Sequence, residues 1–153
     1  MKFSEMSFDG NILARGFWLY VWDIRSSARR CLYVGRTGDS SSANASSPFR
    51  RIGQHLDDRP KAKANAIARH LRTAGIEPTK CTFKMIGIGP IFPEQTDFAR
   101  HKIYRDKVAA LEHQLAQHLR GRGLEVLGVH STPKSSPKGD IADILRIVDA
   151  QIQ

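Results

Sequence analysis

The chain has 153 residues, enough for one domain with a buried core. Its 41% hydrophobic and 25% charged content is that of a globular chain rather than a disordered one, and no apolar run approaches the ~18–20 residues that span a bilayer. Lys and Arg number 24 against 15 Asp and Glu, and the resulting +9 favours polyanionic partners, nucleic acid above all.

The N-terminus lacks the basic-then-apolar layout of a signal peptide, so the expectation is a cytoplasmic protein without a membrane partner. Residues 1–16 form a polar lead-in broken by Gly10 and Gly16. Residues 17–24 are aromatic and β-branched, as in a strand, with Trp18, Tyr20 and Trp22 on one face and Phe17, Leu19 and Val21 on the other. Apolar groups on both faces predict a central strand. Arg25 to Arg30 suits a hairpin loop, and Cys31 to Gly35 a second, antiparallel strand. The Ser-rich stretch 36–47 has no periodicity and is expected to be a flexible, disordered insertion. Ser47 before Pro48 marks a helix start, Phe49, Ile52 and Leu56 give it an apolar stripe, and Pro60 is expected to end it. A second helix is predicted over 62–74, stopped by Gly75.

Residues 79–88 alternate as a strand that Gly87, Gly89, Pro90 and Pro93 should end. From about Asp97 a long helix runs to Arg120, with Tyr104, Val108, Leu111, Leu115 and Leu119 as its buried stripe. Leu124 to Val129 is a short strand candidate, 131–139 a linker, and Asp140 the cap of a last helix with Ile141, Ile144, Val148 and Ile152 inward. Cys31 and Cys81 both fall in strand-like segments and are expected to be buried thiols; their number and spacing fit neither a disulfide framework nor a zinc motif. The predicted fold is α+β: a small, mostly antiparallel mixed β-sheet flanked by helices, with a β-β-α-α-β-α core and an extra C-terminal strand and helix. Residues 1–16 are the lead-in, 17–128 the main domain, and 129–153 a linker and a short helix packing on the core.

Several polar residues fall on these apolar elements. Tyr20 and Tyr33 sit on the paired strands, and Arg51 and His55, four apart, project from one face of the first helix. A guanidinium offers forked donors to phosphate oxygens, and a histidine can orient a water or relay a proton. Glu112 follows Leu111 and aligns with Val108 and Ala116, so it borders the buried stripe. One carboxylate with waters and phosphate oxygens is a normal Mg²⁺ arrangement. Taken singly, each has an ordinary reading: a core tyrosine, a solvated arginine, a half-buried histidine, a surface glutamate.

The ordered set resembles the GIY-YIG nuclease family over about 17–127. Trp18-Leu19-Tyr20 matches a degenerate first motif, Tyr33-Val34-Gly35 the second, Arg51 and His55 the family's Arg-x-x-x-His, and Glu112 its metal-binding glutamate. The loop between Gly35 and the first helix is longer than in compact members. The asparagine many members carry after the last helix is missing; Leu127-Gly128 lies near its place, and His130 close by is not expected to replace it.

The resemblance implies a Mg²⁺- or Mn²⁺-dependent endonuclease that hydrolyses DNA by one-step attack of water. Tyr20, as candidate general base, and His55 would prepare the water, Tyr33 would position the water or the base, Arg51 would hold the phosphate and Glu112 the metal. A phenol serves as base only if cations such as Arg36 and Arg51, or a metal ion, lower the barrier. Gly35 would allow close backbone approach, and Arg36, Arg50, Lys61 and Lys63 would contact the nucleic acid. With no separate DNA-reading module, specificity would be low, or come from a homodimer mate or a partner protein. The alternatives are a nucleic-acid-binding module of this fold that cuts weakly or not at all, and a plain basic α+β domain binding RNA or protein. His101, His113 and His118 share a helix without forming His-Glu-x-x-His, and neither a phosphate-binding Gly-x-x-x-x-Gly-Lys-Ser/Thr loop nor Gly-x-Ser-x-Gly occurs. The 61–63 and 69–72 basic stretches are expected to lie on solvated helix faces.

Overall fold

Strand β1 (Phe17–Arg25) is buried on both faces and pairs on both edges. In the computed structural model, which describes all residues except Lys2, Ser41, Pro60, Ser131 and 133–140, it lies inside a four-stranded mixed sheet of order β3-β1-β2-β4. β2 (Arg30–Arg36) and β3 (Thr82–Phe92) run antiparallel to β1, and the two-residue β4 (Val126–Leu127) runs parallel to β2. The helices are α1 (Pro48–His55), α2 (Ala66–Thr73), α3 (Phe98–Gly121) and α4 (Ala142–Gln151), so the fold is α+β.

Alternation along β1 divides the core. Phe17, Leu19 and Val21 join Leu32, Val34 and the α3 residues Val108, Leu111, Leu115 and Leu119, and α4 closes this face with Ile144 and Val148, followed by Ile152 just past its end. Tyr20, Trp22 and Ile24 join Cys31 and the α2 residues Ile67 and Leu71 on the other face. Each large side chain so buried contributes about 1.5–3 kcal/mol relative to exposure. Asp140, the expected cap of α4, lies outside the described residues. Among the described residues, no helix is long and apolar enough to cross a membrane.

Four expectations are corrected. β3 runs through Gly87, Gly89 and Pro90 to Phe92, because it is an edge strand on which a residue without an N–H is tolerated. Cys81 precedes β3 and is only partly buried, whereas Cys31 is buried in β2. α1 ends at His55, and α2 starts at Ala66, so Lys61 and Lys63 are exposed in the intervening loop rather than on a helix.

The Ser-rich segment is tied to the core instead of being a disordered insertion. Thr37 and Ala45 are fully buried, Ala45 N–H donates to Glu94 (2.9 Å), and the Gly38 carbonyl meets the buried His101 Nε2 (3.0 Å). The lead-in is likewise anchored: Gly10–Leu13 is a 3₁₀ turn, the Trp18 indole N–H donates to the Ala14 carbonyl (3.1 Å), and the rings of Phe8 and Phe49 lie 4.9 Å apart.

Candidate active site

β4 pairs only with Leu32 and Tyr33, so the edge of β2 from Val34 to Arg36 is not covered by a strand. His130 takes over part of that edge, its Nε2 lying 3.0 Å from the Val34 carbonyl. Where the sheet is left open, residues from both of its faces meet. A cavity of about 430 Å³ is lined there by Tyr33, Arg36, His70, Glu112, Gly128 and His130, among others.

Glu112 projects from α3 into an ion pair with Arg36 at the end of β2. Its side chain is 15% exposed, and burial pushes its carboxyl above the ordinary value in spite of the neighbouring guanidinium. Tyr33 is part-buried on the α1/α2 face. Burial, then the Glu112 charge, pushes its phenol up to about 12, and no described residue hydrogen-bonds its hydroxyl.

Tyr20 lies deeper, 1% exposed, with its ring over Gly35, its partner across the β1–β2 ladder. A Cβ on Gly35 would sit 2.7 Å from the Tyr20 hydroxyl, so the close approach that this glycine permits is that of the tyrosine ring. The Tyr20 hydroxyl meets His55 Nε2 at 2.7 Å and the Arg36 carbonyl at 3.2 Å. A carbonyl can only accept, so Tyr20 donates to Arg36 and accepts from the Nε2–H of a neutral imidazole. That tautomer leaves Nδ1, buried and unpartnered among the described residues, as a bare acceptor rather than a stranded N–H.

Arg51 and His55 do project together from α1, but they reach different surroundings. Arg51 is ion-paired with Asp39, donates to Gln54 (3.3 Å), and lines a second depression of about 350 Å³ with Arg50 and the loop serines Ser40, Ser42 and Ser46. His55 is 5% exposed, its ring 5.6 Å from Tyr20 and 5.3 Å from Tyr33. Arg50, Lys61 and Lys63 are exposed.

The expected site residues are brought together only in part: Tyr33, Arg36 and Glu112 line one cavity, Tyr20 and His55 are buried against each other, and Arg51 opens on a separate depression. The Tyr20 hydroxyl is sealed under α1 rather than opening on a cleft. Burial raises its phenol well above the ordinary value, outweighing Arg51 and Arg36, so the cations do not prepare it as a base. His130 is no substitute for the missing asparagine, because both its ring nitrogens are engaged, Nε2 by Val34 and Nδ1 by Arg120 (3.2 Å). Sequence reasoning missed Asp39, a lone acid in a Ser-rich loop without any local signal, and His70, whose spacing of three from Ile67 was the one clue that it faces inward.

Burial, then Arg51, lowers the His55 pKa from 6.5 to about 4. Between those values the unfolded chain binds the proton and the folded one does not. Stability is therefore full above about pH 6.5 and is lost progressively as pH falls toward 4. Melting temperatures from pH 7.5 to 4.5 should fall more steeply for the wild type than for His55→Gln; parallel curves would refute the assignment.

Comparison with family models, curated proteins and solved structures finds no match to this chain.

Proposed function

We propose that this chain is a divalent-metal-dependent endonuclease of the GIY-YIG type, hydrolysing DNA phosphodiester bonds by attack of activated water. The observation that carries this reading is the meeting of Tyr33, Arg36 and Glu112 around one cavity at the open edge of β2, backed by the Tyr20–His55 hydrogen bond. The +9 charge supports a polyanionic substrate.

Among the described residues no three His, Cys, Asp or Glu form a metal cage, and Glu112 is the carboxylate lining the cavity. One hard oxygen donor in a roomy polar site fits Mg²⁺ or Mn²⁺, which keep most of their waters, and does not fit a zinc-type cage. Held by Glu112, such an ion would polarise the phosphate and stabilise the leaving oxygen. The chain's own groups do the rest. Arg36 and Arg51 exchange their carboxylate partners for phosphate oxygens, and the protonated Tyr33 hydroxyl orients the water. The Tyr20–His55 pair fixes α1 against β1, so that Arg51 meets the substrate in register. Arg50, Lys61 and Lys63 add backbone contacts on the exposed surface.

Nicking of supercoiled plasmid with Mg²⁺, Mn²⁺ or chelator tests the reading. Arg51→Ala should slow metal-dependent nicking by about 10²–10³-fold, the range for removing one positioned transition-state donor. A second reading, a nucleic-acid-binding module of the same fold, is favoured by the ion pairing of both site arginines and by the sealed Tyr20. DNA binding without metal-dependent nicking by the wild type would support that module and overturn the nuclease.

A further inference from the structure

Hydrolysis by water needs a proton acceptor at the attacking oxygen. The Tyr20 hydroxyl is buried and held by His55 and the Arg36 carbonyl, and a phenol such as that of Tyr33, with an ordinary pKa of about 10, keeps its proton at neutral pH. The imidazole of His55 is closed off from the cavity by its bond to Tyr20. We propose that His70 is the general base of this reaction, taking the proton of the attacking water in the cavity that it shares with Tyr33, Arg36 and Glu112. This role rests on the nuclease reading.

His70 belongs to α2, whose apolar side buries Ile67 and Leu71. Its ring lines the cavity, with its centroid 6.1 Å from that of Tyr33. Across from it stands Gly128, near the place of the absent asparagine. A Cβ there would lie 3.2 Å from His70 Nε2, so the bare Cα leaves the imidazole the space that a side chain would fill. Of the other histidines nearby, His130 is committed to Val34 and Arg120, and His113, which donates from Nδ1 to the His130 carbonyl (2.9 Å), does not line the cavity. The His70 imidazole makes no hydrogen bond with any described residue.

The charged and titratable groups around it are Arg69 on its own helix, Tyr33 and Arg36 on β2, Glu112 on α3, and His130 and Arg120 beyond Gly128. Burial, then Arg69, holds the His70 pKa below its ordinary value, so the ring is neutral and ready to accept at pH 7. In the step, the water O–H breaks and its proton goes to the free ring nitrogen. The water oxygen forms a bond to phosphorus as one bridging P–O bond breaks. The electron pair of that bond stays on the leaving oxygen, which takes a proton from solvent, and the imidazolium returns its proton to solvent.

The test is single-turnover plasmid nicking against pH by the wild type, His70→Gln and His70→Ala, the last with and without added imidazole. DNA affinity and melting temperature are followed alongside. His70→Gln should nick about 10²-fold or more slowly with unchanged DNA affinity. The acid limb of the wild-type profile should vanish, and imidazole should restore part of the rate to His70→Ala. An NMR titration of His70 in metal-free protein should give the pKa of that limb. Should His70→Ala fail to fold, the glutamine variant and the titration decide. Wild-type nicking with an unaltered rate and acid limb in His70→Gln overturns the base while leaving the nuclease intact. Absence of wild-type nicking overturns both.

Discussion

Glu112→Gln should abolish metal-dependent nicking, by about 10³-fold or more, without reducing DNA affinity. Glu112 is the carboxylate that lines the cavity, and the charge stabilisation a bound metal supplies is several kcal/mol, which corresponds to a rate factor of about that size. Affinity should move the other way. The substitution removes a negative charge from the path of the phosphates and releases Arg36 from its ion pair. Stability is the confounding quantity, because Arg36 is left without its anion. Its side chain is 23% exposed, so water and small rearrangements can satisfy most of it, and the loss should be no more than about 1–2 kcal/mol. The amide in Glu112→Gln keeps the shape that Glu112→Ala loses. A folded glutamine variant that nicks at the wild-type rate would remove Glu112 from the chemistry.

Gly35→Ala should be among the most destabilising single-methyl additions in the chain, and it should break the Tyr20–His55 bond. The added carbon would stand 2.7 Å from both the Tyr20 ring carbon Cζ and its hydroxyl. The ring cannot withdraw, being 1% exposed and held by His55 and the Arg36 carbonyl. Overpacking of this kind costs about 1–3 kcal/mol, and for a chain of this size each kcal/mol lowers the melting temperature by roughly 2–4 °C. The His55 ring, freed from the phenol and opened to water, should also titrate nearer its ordinary value. Gly53→Ala is the matched control. Gly53 is helical, and a Cβ there would meet no heavy atom within 4 Å beyond the backbone of its own helix, so alanine should be neutral or stabilising by up to about 1 kcal/mol. Equal melting temperatures for the two variants would refute this packing.

What was legible in the sequence follows the range of the forces involved. The faces of β1, the stripe of α3 and the start of α1 at Pro48 follow from side-chain periodicity and local backbone preference, which act over a few residues. The course of β3 past Gly87 depends on its being an edge strand, which only pairing with β1 decides. The Ser-rich loop is anchored through Glu94 and His101, partners distant in the chain, so its own composition could not show that it packs. The same holds for the site. Tyr20, Tyr33, Arg51, His55 and Glu112 stood out through the resemblance to a known motif order. The pairing of Arg36 with Glu112 across 76 residues, of Arg51 with Asp39, and the inward turn of His70 within a basic stretch have no local signature.

The two ion pairs carry a consequence for how this protein would meet the proposed polyanionic substrate. Arg36 and Arg51 already have anions beside them, supplied by the fold itself as built-in counterions. An arginine that trades a protein carboxylate for a phosphate releases no mobile ion from its own side of the exchange and must first give up an existing contact. On the nuclease reading, these arginines add less to initial capture than the exposed Lys61 and Lys63, which have no ion-pair partner among the described residues. Each exchange also leaves a carboxylate newly bare next to a phosphate. For Glu112 that would make the proposed nucleic acid and divalent cation mutually reinforcing ligands, each improving the site for the other by the same factor. Without the cation the freed carboxylate would repel the phosphate, so on that reading the resting protein would hold these groups paired with each other until both ligands are present.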